Sequence, residues 1–409
     1  MRRTPSRRLF AAVLLVASVL TPTMAASAAA ATPAATAVRL ASVDRHHHDD
    51  CPSHGLGHGV TARLDKAIAD VRKDAAIPGV AVGLWMPGKG CYVRATGVAD
   101  KVTRQPMSTD FYSRIGSETK TFTVTALLQL VDERRIGLDD PISRYVHGVP
   151  NGRHITLRHL AEMRSGLFPY SADADFAHDL LSDPTRSFTP QELLAYGYKH
   201  RNTAAPGKVF VYNNSNLVLL GLVIEKVTGH HIAEVINRRV LRPAHLDQTL
   251  FPDGPNVREF PEPHAHGYTN QTLSGAVADS TDWNPSWGWS AGAMISTMHD
   301  LRSWAKTVAT GELLSPETQK QRLKVLPTSF PGLDYGLGIF ETGGWIGHNG
   351  SIPGYESVTV YLPALKATLV VLINTDITTG GQEPSTLLAR AITQIATPGH
   401  VYDGSTPTR

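Results

Sequence analysis

Three short motifs in this chain carry side chains that together can acylate a serine. Ser117 and Lys120 form a Ser-x-x-Lys motif, Tyr212 begins Tyr-Asn-Asn, and His348 begins His-Asn-Gly. A serine hydroxyl is a weak nucleophile until a base takes its proton. An amine and a phenol close to the hydroxyl would supply that base without the usual histidine–aspartate pair. The motifs therefore predict a serine hydrolase that works through an acyl-enzyme.

The element that follows Ser117 decides whether Lys120 can reach it. Apolar residues recur there at the spacing of one helix face, at Val124, Leu127, Leu128 and Val131. Residues i and i+3 share a helix face, so the amine of Lys120 is expected beside the hydroxyl of Ser117. A helix start also favours developing negative charge, and the Ser117 N–H is expected to form half of an oxyanion hole.

Each motif by itself is a weak signal. A second Ser-x-x-Lys occurs at Ser303 and Lys306, and a second Tyr-x-Asn begins at Tyr268, whereas His-x-Gly occurs once. The joint order of the three motifs, and the elements on which they lie, distinguish the first set from the second.

The N-terminus has the layout of a secretory signal peptide. An arginine-rich start precedes an apolar run from Leu9 to Leu20 and then small residues, which predicts a signal peptide over 1–28 and a secreted protein. The apolar run is too short to span a bilayer, so no membrane anchor is expected after cleavage. Residues 29–58 are predicted to be a linker, 59–397 the hydrolase domain, and 398–409 a flexible tail.

Strand and helix patterns divide the predicted domain into two parts. Strands are predicted at Gly79–Met86 and Cys91–Val98 near one end, and at Tyr355–Leu362 and Ala367–Asn374 near the other. Helical periodicity dominates the segment from about 140 to 275. The prediction is an α+β fold, with an antiparallel sheet built from both chain ends, flanking helices and an inserted helical domain.

Composition excludes several other classes. The formal charge of +3 falls to about −1 without the four arginines of the leader, and no basic stripe interleaved with aromatic residues predicts nucleic-acid binding. The histidines, including the cluster at 46–48, lack metal-ligand spacing, so no metal and no cofactor are predicted. Cys51 and Cys91 are the only cysteines; in an exported protein they favour one disulfide, with two unpaired thiols as the alternative.

The three motifs and their flanking residues resemble those of the serine β-lactamase and penicillin-recognising family. The similarity is greatest to the branch with class C β-lactamases, secreted D-alanyl-D-alanine carboxypeptidases of actinomycetes and related esterases. It runs from about 60 to 397, and its flanking matches include Arg164–Leu167, Pro206–Lys208, Tyr335–Gly338 and Pro353–Tyr355.

The resemblance implies a role for each matching residue. Ser117 would be the acylated nucleophile, Lys120 its activating amine, and Tyr212 the general base and acid. His348 stands where many relatives carry a lysine, and it is expected to be a partly cationic group whose charge depends on pH. The predicted substrate-binding residues are Asn214, Asn349, Gly350, Ser351 and Trp287, with the Ser351 N–H as the second oxyanion donor.

One departure from the family pattern bears on the substrate. The resemblance to DD-peptidases implies an arginine just after Gly338 that binds a terminal carboxylate, but Ile339 and Phe340 stand there. The predicted activity is that of a D-alanyl-D-alanine carboxypeptidase-like enzyme that recognises penicillin. A class C-like β-lactamase and a carboxylesterase remain alternatives, and the expected partner is a peptidoglycan stem peptide, a β-lactam or an ester.

Two further interpretations compete with this one. Residues Gly288–Gly292 have the sequence Gly-x-Ser-x-Gly, which is the nucleophile elbow of α/β-hydrolases and would make Ser290 the nucleophile. The elbow needs a buried strand directly before it, and residues 282–287 do not have that pattern. A non-catalytic β-lactam sensor is the other alternative, but such domains often lose a motif residue, and all three motifs are complete here.

Overall fold

The computed structural model describes residues 55–254 and 257–404. The predicted signal peptide, nearly all of the predicted linker, and Cys51 lie outside the described residues. Export and the pairing of Cys51 with Cys91 therefore stay predictions. Within the described ranges, no helix is both long and apolar enough to cross a bilayer.

The central element is an eight-stranded antiparallel sheet with the strand order β2-β1-β12-β11-β10-β9-β8-β7. Two short pairs, β3 with β6 and β4 with β5, lie outside it. The strands are β1 (Gly79–Met86), β2 (Gly90–Gly97), β3 (Ser113–Arg114), β4 (Tyr268–Thr269), β5 (Ala278–Asp279), β6 (Ile295–Ser296), β7 (Leu326–Pro327), β8 (Asp334–Tyr335), β9 (Phe340–Thr342), β10 (Trp345–Ile352), β11 (Tyr355–Leu362) and β12 (Ala367–Ile373).

Both chain ends contribute to the sheet, because Val80 of β1 lies opposite Ile373 of β12. The predicted α+β class, with an antiparallel sheet built from the two ends and flanked by helices, is confirmed. Every residue of β11 and β12 is buried. Successive side chains of a strand point to opposite faces, so the sheet is covered on both sides here.

The helices flank this sheet and fill the middle of the chain. They are α1 (His58–Asp74), α2 (Thr119–Asp132), α3 (Leu157–Ala161), α4 (Ala174–Ser182), α5 (Pro190–Tyr198), α6 (Asn214–Thr228), α7 (Ile232–Ile236), α8 (Trp289–Gly292), α9 (Met298–Thr310), α10 (Pro316–Arg322) and α11 (Pro384–Ala396). Helices α3 to α7 fall within the segment predicted to be helical. Helices α1 and α11 pack together, and α9 and α11 both contact β11 and β12.

The segment after α11 differs from its predicted flexible tail. Tyr402 is fully buried, and the indole N–H of Trp345 donates a hydrogen bond to the carbonyl of His400 at 2.8 Å. An aromatic side chain buried beside the sheet outweighs the polar composition of this segment. The prediction of a flexible tail from residue 398 is therefore wrong for residues 398–404, and residues 405–409 lie outside the described part.

Candidate active site

Ser117 lies in a 3₁₀ turn, Gly116–Glu118, that leads directly into α2. The Glu118 N–H donates to the Ile115 carbonyl at 3.1 Å and the Thr119 N–H also donates within the turn. The positive end of the α2 dipole lies at the serine. Lys120 follows one turn later on the same face. This local geometry matches the one predicted from the spacing of the motif.

The side chain of Lys120 is fully buried and directed at the serine. Its Nζ donates to Ser117 Oγ at 2.8 Å and to the carbonyl oxygen of Ala291, also at 2.8 Å. Ala291 belongs to α8, within the Gly-x-Ser-x-Gly sequence. A 3₁₀ turn, Pro285–Trp287, precedes α8 instead of a strand, so this segment lacks the context of a nucleophile elbow and instead positions Lys120.

Strand β10 passes very close to the nucleophile turn. A Cβ on Gly350 would lie 1.9 Å from the carbonyl oxygen of Ile115, and one on Gly116, whose φ is +48°, would lie 2.7 Å from the Ser351 nitrogen. Glycine is therefore required at both positions. Gly350 was predicted to bind substrate, and the structure accounts for it by this close approach, which sets the backbone of Ser351 beside the nucleophile turn.

Tyr212 and Asn214 enter the site from the start of α6. The Nζ of Lys120 lies 4.9 Å from the centre of the Tyr212 ring. Asn213 caps α6 by accepting from the Ser215 N–H at 2.8 Å, which fixes the chain between Tyr212 and Asn214. Asn214 is 4% exposed, and its Oδ1 has no hydrogen-bond partner among the described residues. That oxygen is an acceptor held in place for an N–H group.

His348 is held neutral, which corrects the expectation of a partly cationic group. Its Nδ1 lies 2.5 Å from the Asn349 carbonyl oxygen and its Nε2 lies 3.1 Å from the Tyr335 hydroxyl. A carbonyl only accepts, so Nδ1 carries the proton and Nε2 accepts from Tyr335. Burial, together with the charge of Lys120, lowers the pKa of His348 to about 3. The imidazole therefore lies beside Tyr212 as an uncharged ring, with ring centres 6.1 Å apart.

The other two predicted substrate-binding residues take different positions. Asn349 lines the main cavity next to Ser117, where its Nδ2 donates to Glu383 at 2.8 Å. Trp287 is 4% exposed and lines a narrow side crevice shared with Ser117 and Asn214. Its position there is fixed by its carbonyl, which accepts from the Tyr170 hydroxyl at 2.5 Å.

The main cavity has a volume of about 500 Å³ and opens at Ser117, Tyr212 and Asn214. Three of its lining residues are carboxylic acids, Glu356, Asp376 and Glu383, which we call the acidic wall. The motifs gave no indication of this wall. Asp376 follows β12 and Glu383 precedes α11, and a charged residue after a buried strand was the only sequence signal. The complete lining is Ser117, Pro169, Ser171, Ala172, Tyr212, Asn214, Asn270, Gln271, Asn349, Ser351, Ile352, Pro353, Glu356, Asp376, Thr378 and Glu383.

A fourth carboxylic acid, Glu118, is buried directly behind the nucleophile. It is 1% exposed, and among the residues that the structure describes neither carboxyl oxygen has a hydrogen-bond partner of good geometry. Burial raises the pKa of Glu118 to about 8, and the nearby hydroxyls of Ser357 and Thr359 offset this only in part. Glu118 is therefore a neutral acid at pH 7 in the folded protein.

Replacing Glu118 by glutamine is expected to remove a pH-dependent cost of folding. Between pH 4.5 and about 8 the unfolded chain has lost this proton and the folded chain keeps it, so the free energy of unfolding falls as pH rises. Glutamine does not titrate, so the variant avoids this loss. The melting temperature of Glu118→Gln minus that of wild type should be greater at pH 9 than at pH 5 by roughly 5 °C or more. Thermal unfolding of both proteins at the two pH values tests this; an equal difference at both would contradict a neutral Glu118.

A family model and several known proteins match most of this chain. The family model described as Beta-lactamase matches residues 64–393. Protein flp of Staphylococcus aureus is 27% identical over 333 residues, or 76% of this chain and 62% of the relative, and D-aminopeptidase of Brucella anthropi is 30% identical over 288 residues, or 68% of this chain and 52% of the relative. The chain thus spans about three fifths of the length of the first of these relatives and half of the second.

A solved structure matches over nearly all of its own length. The D-stereospecific amidohydrolase from a Streptomyces species superposes with a TM-score of 0.74 and 29% identity, covering 83% of this chain and 99% of that one. The family model spans most of the chain, and the fold matches that of a related hydrolase. This chain therefore belongs to the β-lactamase family of serine hydrolases.

Proposed function

We propose that this chain is a serine amidohydrolase that forms an acyl-enzyme on Ser117 and cleaves amide bonds of D-amino-acid substrates. The observation that carries the proposal is the 2.8 Å hydrogen bond between Lys120 and Ser117 at the edge of the main cavity. The relatives named D-aminopeptidase and D-stereospecific amidohydrolase support the choice of substrate.

The proposed reaction uses each group in a definite step. Lys120 acts in its neutral amine form, with Tyr212 beside it, and takes the proton of Ser117 as the serine oxygen attacks the substrate carbonyl carbon. The N–H groups of Ser117 and Ser351 stabilise the resulting oxyanion. The C–N bond then breaks, the leaving amine receives a proton through Tyr212, and water hydrolyses the ester on Ser117. In the same step Asn214 Oδ1 accepts a hydrogen bond from an amide N–H of the substrate.

A D-alanyl-D-alanine carboxypeptidase that recognises penicillin is the second candidate, favoured by the His-Asn-Gly motif. Such an enzyme needs a cation for the terminal carboxylate. Ile339 and Phe340 are buried where that arginine was expected, and no lysine or arginine is among the residues that line the main cavity. Arg114 lines a separate narrow crevice, where it donates to the carbonyls of Thr281 and Trp283.

A substrate panel separates these activities. We would compare D-alanine p-nitroanilide and its L-enantiomer, diacetyl-L-lysyl-D-alanyl-D-alanine, nitrocefin and p-nitrophenyl acetate, and would record the intact mass after benzylpenicillin. We expect hydrolysis of the D-anilide in preference to the L-anilide. Release of D-alanine from the tripeptide, with a stable penicillin adduct, would favour the carboxypeptidase. Turnover of nitrocefin would favour a β-lactamase, and turnover of the acetate ester alone would favour an esterase.

A further inference from the structure

The acidic wall is an unusual surface to place beside an acylated serine. Glu356 is 1% exposed and lines the cavity, and its Oε2 accepts from the Ser385 N–H at 2.9 Å. Its Oε1 has no hydrogen-bond partner among the residues described. Leaving a buried carboxyl oxygen without a donor costs on the order of 1–3 kcal/mol. A bound group with an N–H donor would remove this cost.

The other two members of the wall are placed differently. Both oxygens of Asp376 are already occupied, Oδ1 by the Gly354 N–H at 2.9 Å and Oδ2 by Thr269 Oγ1 and by the side-chain amide of Gln271. Asp376 thus holds the loop of Gln271 at the cavity. Glu383 accepts from Asn349 Nδ2 at 2.8 Å and lies close enough to Glu356 to interact with it electrostatically.

The acidic wall has no cationic side chain beside it among the residues that line the cavity. The described residues contain no cluster of histidine, cysteine and acidic side chains that would hold a metal ion. Burial and the neighbouring Glu383 raise the pKa of Glu356 well above its ordinary value. A bound cation with N–H donors would lower the pKa of Glu356, because it brings the opposite charge. It would also donate the hydrogen bond that Glu356 Oε1 lacks.

We propose that Glu356 and Glu383, with Asp376 holding the neighbouring loop, bind a primary ammonium group of the substrate while its carbonyl group lies at Ser117. The proposal rests on the proposed function and specifies its substrate class. An ammonium has two possible sources in a D-amino-acid substrate: the free α-amine of the acyl residue, or a basic side chain whose α-amine is blocked. Both present the same N–H donors to the wall.

Binding, measured without turnover, tests the proposal independently of the reaction. The Ser117→Ala protein is titrated calorimetrically at pH 7 with two matched pairs of amides. D-Alaninamide against N-acetyl-D-alaninamide tests the α-ammonium, and N-acetyl-D-lysinamide against N-acetyl-D-norleucinamide tests a side-chain ammonium. We expect the cationic member of one pair to bind at least about tenfold more tightly, which is the effect of about 1.4 kcal/mol.

Variants then assign that preference to the wall. Glu356→Gln, made in the Ser117→Ala protein, keeps the shape and loses the charge, so the cationic preference should disappear while the acetylated amide binds as before. Glu383→Gln is the second variant if Glu356→Gln does not fold, and Glu259→Gln, an exposed glutamate away from the cavity, is the control with an unchanged preference. Equal binding within both pairs, or a preference that survives the loss of either carboxylate, would overturn the proposal. A cationic preference in an enzyme that cleaves no D-anilide would instead leave the subsite standing and refute the proposed reaction.

Discussion

Replacing Ser117 by alanine is expected to lower kcat/KM by about 10⁴-fold or more for every substrate that the enzyme hydrolyses. Lys120 Nζ donates a hydrogen bond to this hydroxyl at 2.8 Å, so the amine is in place to take its proton when the oxygen attacks. Without it no acyl-enzyme forms, and the residual rate comes only from binding and the backbone donors. The measurement is steady-state hydrolysis of D-alanine p-nitroanilide, with intact mass to record acylation.

The matched control is Ser290→Ala in the Gly-x-Ser-x-Gly sequence. Ser290 is fully buried, and its Oγ donates to the carbonyl of Leu217 in α6 at 2.9 Å. Its loss removes one buried hydrogen bond, so stability should fall by about 1 kcal/mol with activity kept. If Ser290→Ala were inactive and folded while Ser117→Ala kept its activity, the assignment of the nucleophile would be wrong.

Replacing Lys120 by methionine is expected to reduce acylation of Ser117 by about 10³-fold or more, since general-base assistance typically contributes 10²–10⁴-fold. Methionine has a similar length and no amine, so it can occupy the same buried space. The change removes the base, together with the hydrogen bond from Nζ to the Ala291 carbonyl at 2.8 Å. The rate at which benzylpenicillin or an activated ester adds mass to the Ser117 peptide measures this step directly.

The second Ser-x-x-Lys sequence provides the control for that change. Lys306 is exposed and forms an ion pair with Glu312 at 2.7 Å. An exposed pair contributes little to stability, so Lys306→Met should leave both folding and acylation nearly unchanged. Comparable loss of acylation in the two variants would mean that Lys120 supports the fold and does not act on Ser117.

The sequence by itself determined those features that depend on near neighbours in the chain. The spacing of Ser117 and Lys120 places them on one helix face whatever surrounds the helix. The strands at both ends were predicted to within one or two residues, because short runs rich in apolar and β-branched residues, bounded by turn residues, are local signals. The antiparallel sheet with flanking helices followed from that order of elements.

Only the tertiary structure decided how the environment changes those residues. His348 was expected to titrate, but burial and the charge of Lys120 keep it neutral, and both depend on residues distant in sequence. Gly350 was predicted to contact substrate, but a Cβ there would lie 1.9 Å from the Ile115 carbonyl oxygen. No local pattern encodes this close approach.

The acidic wall is the clearest example of a feature that depends on residues distant in sequence. Glu356 comes from β11, Asp376 from the segment after β12, and Glu383 from the start of α11. Each is an ordinary charged residue in its own stretch of chain. They form one surface beside Ser117 because the sheet joins the two chain ends and brings the start of α11 against β11. Periodicity specifies which face of an element is buried, whereas the charge and shape of a cavity depend on which elements meet there.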